Sequence, residues 1–176
     1  VTSAIAYLHK NNIRHKDIKP SNVLLSLDGI WLTDFGAAKN FTDDLTSSSE
    51  GRERGTLKYC ASEVAHYEQS GRLADMFSLG CLFLETQVIL FTGHLLEKLG
   101  ELRPAKNRSY EANLDKPEQW LGLIERHNHQ AEGLVMATKQ MLDHDRKTRL
   151  TAKSLVLLLA GLDGGTGHLH CQRCSQ

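Results

Sequence analysis

The run Asp75-Met76-Phe77-Ser78-Leu79-Gly80-Cys81-Leu82-Phe83-Leu84-Glu85-Thr86 constrains the fold more than any other stretch. It is apolar on nearly every side, so as a helix it has no solvent face and must lie inside a shell of other elements. Asp75, at its start, can cap the helix N-terminus. A chain of 176 residues is long enough to build such a shell around one core. The sequence offers the material. Residues 1–11 read as the end of a helix, with Ile5 and Leu8 at helical spacing and Asn11-Asn12 as the stop. Leu95-Leu96-Glu97-Lys98-Leu99 and Trp120–Glu125 read as short amphipathic helices, Arg103–Tyr110 as a loop, and 132–143 and 151–162 as two further helices.

Two short apolar runs, Val23-Leu24-Leu25-Ser26 and Ile30-Trp31-Leu32-Thr33, flank Asp28-Gly29 and predict a β-hairpin turning there. The expected fold class is mainly α with a small β-hairpin (α+β). Lys plus Arg number 21 and Asp plus Glu number 21, so no net charge argues for nucleic acid or an anionic membrane as partner. No run reaches the ~20 apolar residues of a membrane span, and the N-terminus lacks the basic start of a signal peptide. Cys60, Cys81, Cys171 and Cys174 do not read as a disulfide framework, and a reducing, intracellular setting (cytoplasmic or nuclear) is expected.

Polar chemistry concentrates in His15-Lys16-Asp17-Ile18-Lys19-Pro20-Ser21-Asn22, just before the hairpin, and in Asp34-Phe35-Gly36, just after it. Phosphoryl transfer uses a carboxylate to orient and deprotonate a hydroxyl, a cation near the phosphate, and oxygen ligands for magnesium. The first segment resembles the catalytic loop of eukaryotic protein kinases, and the second their metal-binding triplet. Lys19 is the form typical of the serine/threonine branch.

The resemblance implies a protein-kinase-like C-terminal lobe over residues 1–162, followed by a flexible tail over 163–176. It implies ATP and Mg2+ as cofactors and a protein as substrate. Asp17 is the implied catalytic base; Lys19 neutralises charge on the transferred phosphate; Thr56 bridges Asp17 and Lys19 through its hydroxyl. Asn22 and Asp34 are the implied magnesium ligands, set at the two ends of the hairpin, and Leu24 lies under the adenine ring. Leu24 reads equally as an ordinary buried strand residue. His15 is expected to pack under Phe35 rather than move protons, and Pro20 to shape the turn.

Other positions follow the family or depart from it. Glu63 is expected to pair with Arg149 in a buried ion pair, and Asp75 to bond the catalytic-loop backbone. Thr46, Ser47, Ser48 and Ser49, in the polar stretch 37–54, are candidate sites for a regulatory kinase. Lys16 stands where arginine is usual, which loses a forked contact to a phosphorylated segment. Ser62 and Leu150 stand where proline is usual. No Gly-rich phosphate loop, strand lysine or partner glutamate of a smaller lobe precedes Val1, so weak or no phosphotransfer is expected of this chain alone. A catalytically inactive interaction or scaffold module is the alternative. In the tail, His168, His170, Cys171 and Cys174 could supply four zinc ligands, and a loose tail is preferred.

Overall fold

The computed structural model describes residues 1–40, 56–93, 96–103, 107–115, 117–125 and 132–162. Helix α1 (Thr2–Lys10) leads into the short strand β1 (Ile13–Arg14). The hairpin strands β2 (Val23–Ser26) and β3 (Gly29–Leu32) follow, then β4 (Lys39–Asn40). The remainder is helical: α2 (Ser62–Ala65), α3 (Arg72–Thr92), α4 (Leu96–Glu101), α5 (Pro117–Glu125), α6 (Glu132–Met141) and α7 (Ala152–Leu162). Single turns of 3-10 helix cover Pro20–Asn22, Phe35–Ala37, Leu57–Tyr59 and Glu111–Asn113.

Helix α3 is the axis of the fold, and it is longer than the apolar run that announces it. One face carries Phe77, Cys81, Leu84 and Val88 into a cluster with Leu99, Tyr110, Trp120 and Ile124. The other carries Met76, Leu79 and Leu82 into a cluster with Ile5, Leu8, Ile18, Met141 and Leu155. Both sets recur at three- and four-residue steps, which is why the helix needs apolar residues all round. Gly80 permits the close approach of α6: a Cβ there would lie 2.8 Å from Met141 Cβ. Contrary to the sequence reading, α3 is by length and composition apolar enough to cross a membrane. In this fold 67% of its most apolar stretch is buried inside the protein, so the surrounding helices satisfy that apolarity.

The hairpin forms, but its turn is displaced by one residue. Ser26 pairs with Gly29, so Leu27 and Asp28 make the turn and Gly29 opens β3. Ser26 Oγ accepts from Asp28 N–H (3.3 Å) and from Trp31 Nε1 (3.0 Å), which stabilises this register. Gly29 has φ +139°, a conformation that L side chains rarely adopt. The hairpin touches the core only at its base, through Val23 and Leu32. Leu24 is 54% exposed and Leu25 78% exposed, which corrects the reading of Leu24 as a buried strand residue. Its cross-strand neighbour Trp31 is 48% exposed, so the pair forms an apolar surface facing outward.

A second pairing had no signal in the sequence. β1 and β4 run antiparallel, Ile13 opposite Asn40 and Arg14 opposite Lys39. This clip closes the base of residues 15–38, so the two polar motifs emerge on one loop system beside the N-terminal part of α3.

Candidate active site

The site is assembled on a buried carboxylate. Asp75 is 2% exposed and does not cap α3, whose N-cap is Gly71. Three residues into the helix, the Asp75 side chain is instead spent on the loop above it. Asp75 Oδ1 accepts from Lys16 N–H at 3.0 Å, and Oδ2 from His15 N–H at 2.9 Å. His9 Nε2 lies 3.0 Å from Oδ2. Burial pushes the Asp75 carboxyl up, but the bonds from His9, His15 and Lys16 outweigh it and hold the group below its ordinary value. Lys16 is thereby held at φ +69°, a left-handed conformation uncommon for lysine.

His15 is fully buried. Its Nε2 donates to Thr33 O (3.0 Å), its Nδ1 accepts from Asp17 N–H (3.4 Å), and its ring sits 5.0 Å from that of Phe35. It ties the Asp17 loop to the Asp34 loop and stands apart from proton-transfer geometry, as the packing reading expects.

Asp17 receives four donors. Oδ1 accepts from Thr56 N–H (2.9 Å) and from Thr56 Oγ1 (3.0 Å). Oδ2 accepts from Lys19 Nζ (2.6 Å) and from Asn22 Nδ2 (3.1 Å). Lys19 Nζ also donates to Thr56 Oγ1 at 2.9 Å, so the hydroxyl lies between acid and cation. Desolvation raises the Asp17 carboxyl, yet the Lys19 and Thr56 hydrogen bonds prevail and keep it below the usual aspartate value. The same amide of Asn22 donates to Asp17 O (2.8 Å), which turns its oxygen end away from Asp17. A cavity of about 10 Å³, room for one water, lies beside the group between Lys16, Asp17, Ile18, Thr56, Tyr59, Cys60 and Ser78.

The structure thus brings Asp17, Lys19, Asn22 and Thr56 into one knot. Asp34 and Leu24 stand outside it. Asp34 is exposed, has φ +59°, and accepts from Gly36 N–H at 3.4 Å. It remains tied to Asn22 through the backbone, because Thr33 N–H donates to Asn22 O (2.9 Å). Thr46, Ser47, Ser48, Ser49 and the tail residues His168, His170, Cys171 and Cys174 lie outside the described residues.

Behind the knot, Glu63 and Arg149 form a bidentate pair: Nη1 to Oε1 at 2.7 Å and Nη2 to Oε2 at 3.1 Å, both residues buried. Arg149 Nε also donates to Asp143 O, which locks the segment following Thr56 to the turn before α7. Sequence reasoning missed a second buried cluster, in which Glu85 receives Lys58, Tyr59 and Tyr110. The available signal was a charged residue inside a helix with no solvent face.

Among the described residues no group of three or more His, Cys, Asp or Glu side chains could hold a metal ion. The oxygens that remain, the Asn22 amide and the Asp34 carboxylate, are hard donors in small number. They suit Mg2+, which keeps waters and phosphate oxygens in its shell, better than a metal needing a full protein cage.

A family model described as "Protein kinase domain" matches residues 1–157. The chain belongs to the protein kinase family. Among its curated relatives, serine/threonine-protein kinase Sgk1 of Rattus norvegicus is 36% identical over 159 residues, 87% of this chain and 32% of that protein. Serine/threonine-protein kinase AtPK2/AtPK19 of Arabidopsis thaliana is 40% identical over 86 residues, 48% of this chain and 18% of that protein. Mitogen-activated protein kinase kinase kinase 1 of Homo sapiens is 38% identical over 85 residues, 46% of this chain and 6% of that protein. This protein kinase chain therefore spans at most about a third of the length of these relatives.

Proposed function

We propose that residues 1–162 form the large lobe of a serine/threonine protein kinase, and that this lobe carries the residues for moving the γ-phosphoryl group of ATP to a serine or threonine hydroxyl of a protein. The observation that carries the reading is the Asp17–Lys19–Thr56 knot. A carboxylate, a cation and a hydroxyl within hydrogen-bond distance of one another provide a place for an incoming hydroxyl and for charge developing on phosphate.

In this reading Asp17 orients the substrate hydroxyl and takes its proton as the new oxygen–phosphorus bond forms and the bond from the γ-phosphorus to the bridging oxygen breaks, ADP leaving with that oxygen. Its four lone-pair directions are already filled. The hydroxyl must therefore replace one donor, and Lys19 is the one with reason to leave, since phosphate offers its ammonium a stronger partner. Departure of Lys19 removes one of the hydrogen bonds that hold the Asp17 pKa down, those from Thr56 remaining, and makes the carboxylate a better base when the substrate arrives. Asn22 and Asp34 would hold Mg2+ through oxygen, and the ion when bound would supply positive charge at the phosphates. Leu24, exposed on β2, offers an apolar surface to the adenine ring. The protein partners are substrates bearing serine or threonine, and a regulatory kinase acting on Thr46, Ser47, Ser48 or Ser49. The compartment in this reading is reducing and intracellular, cytoplasmic or nuclear.

A second reading, a non-catalytic kinase-like scaffold, draws support from Lys16 and from the outward apolar face of the hairpin. The deciding experiment follows transfer of labelled γ-phosphate from Mg·ATP to serine- and threonine-containing peptides by the native protein that carries this chain. Transfer should fall by a factor of about 100 or more in Asp17→Asn. Equal transfer by wild type and Asp17→Asn would refute the catalytic assignment, and no transfer by either would favour the scaffold.

A further inference from the structure

Arg14 is a cation buried without a counter-charge. It is 3% exposed on β1, and the residue opposite it on β4 is Lys39, a second cation. Among the described residues no carboxylate forms an ion pair with Arg14, and its Nε has no hydrogen-bond partner. A charge buried on such terms is strongly unfavourable, so the arrangement calls for an anion. The guanidinium is aimed at a single residue. Nη1 donates to Ser70 O at 2.8 Å, and Nη2 donates to Ser70 Oγ at 3.1 Å.

Ser70 closes the exposed loop 66–69 and is itself partly exposed. It immediately precedes Gly71, the N-cap of the 21-residue helix α3, which brings no side chain to the first-turn N–H groups. Two more guanidinium groups meet this segment. Arg146 Nη1 donates to Gln69 O, and Arg72 Nη1 donates to His9 O at 3.2 Å. Glu68 is the one acidic residue of the segment 66–72, and it is exposed.

We propose that Ser70 is a phosphorylation site and that Arg14 receives its phosphate at the start of α3. In the modifying step the Ser70 Oγ–phosphorus bond forms as the bond from the γ-phosphorus of ATP to its bridging oxygen breaks. The hydroxyl proton passes to the base of the modifying kinase, and ADP leaves. The phosphate brings about −1.5 to −2 charges and three acceptor oxygens. It turns the neutral bond between Arg14 and Ser70 into a charge-assisted one and sets negative charge at the positive end of α3. The modification does not require activity of this chain, so it stands apart from the reading of Asp17 above.

Two measurements test it. Native protein is isolated from its own cells with phosphatases blocked, and its peptides are mapped by mass spectrometry. Phosphate on Ser70 is expected, and its absence would overturn the proposal. The whole chain is also made with phosphoserine introduced at position 70 during translation, and the phosphorus NMR signal is followed against pH. In urea the second ionisation should fall at about 6, the ordinary value. In the folded chain it should fall about one unit lower, because a neighbouring guanidinium favours the dianion. Arg14→Met should return it at least halfway. Arg14→Lys keeps the charge but loses the fork; it should return the value in part, and it decides the matter if Arg14→Met does not fold. A folded chain whose phosphate titrates as in urea would overturn the proposal, as would a shift that survives unchanged in a folded Arg14 variant.

Discussion

Replacing Asp75 by alanine isolates the contact on which the backbone of the His15–Lys16 loop rests. The side chain is 2% exposed, and its loss strands the backbone N–H groups of His15 and Lys16 and the ring of His9. A buried donor left without a partner costs about 1–3 kcal/mol. His15 is fully buried, whereas Lys16 is partly exposed and water can relieve it. Two fully charged penalties and one partial one give about 4 kcal/mol, a large share of the roughly 5–15 kcal/mol that holds a domain together. Asp75→Asn keeps one acceptor oxygen but turns an amide N–H toward a donor, so about half that cost is expected. Urea unfolding at neutral pH reads both, with an unchanged slope marking a pure stability effect.

The folded Asp75 carboxyl lies below its ordinary value of 3.8, so between the two values the unfolded chain binds more protons. The contribution is therefore whole above about pH 5 and drains as pH falls through the folded value, and the gap between wild type and Asp75→Asn should narrow in that acid range and nowhere above it. A cost for Asp75→Ala below about 1 kcal/mol, or a gap that widens on acidification, would refute the account.

Two further outcomes follow from packing. Arg149→Ala should destabilise by about 3–5 kcal/mol because it leaves Glu63 buried and unpaired. Arg149→Lys should recover only part of this, since one ammonium cannot reproduce the two-point contact, and a double-mutant cycle with Glu63→Gln should show strong coupling. Gly80→Ala should lower stability by about 1–3 kcal/mol in urea unfolding despite alanine's better helix propensity. The added methyl would meet Met141 Cβ, which cannot swing aside.

Much of this molecule was legible before its structure. The all-round apolar run had to be an internal helix, and α3 is one because clusters on both its faces need it. The pattern around Asp28-Gly29 specified a hairpin, and one forms there, with Gly29 opening β3 at a positive φ. What misled the reading was local sufficiency. Asp28-Gly29 looks like a complete turn, yet Ser26 Oγ supplies bonds that move the turn to Leu27-Asp28. Of the two readings of Asp75, the helix cap fails and the bond to the His15–Lys16 backbone holds, its carboxylate facing donors fifty-nine to sixty-six residues away. Leu24 looks buried because it is apolar, but exposure depends on what lies opposite, and in its two-stranded sheet Val23 and Leu32 pack on the core while Leu24, Leu25, Ile30 and Trp31 are exposed.

Residue chemistry and short-range spacing therefore determined an internal helix and a hairpin, and the resemblance carried by the two polar motifs pointed to the protein kinase family and, by implication, to Asp17, Lys19, Asn22, Asp34 and Thr56. Only the packed chain decided how that inventory connects. It gave the expected contact of Thr56 with Asp17, thirty-nine residues apart, its geometry, set Glu85 beneath Lys58 and Tyr59, and paired β1 with β4. Periodicity reports the face a residue presents to its own element. Which distant donor meets a given carboxylate is settled by helix crossings and loop closure, and those depend on the whole core at once.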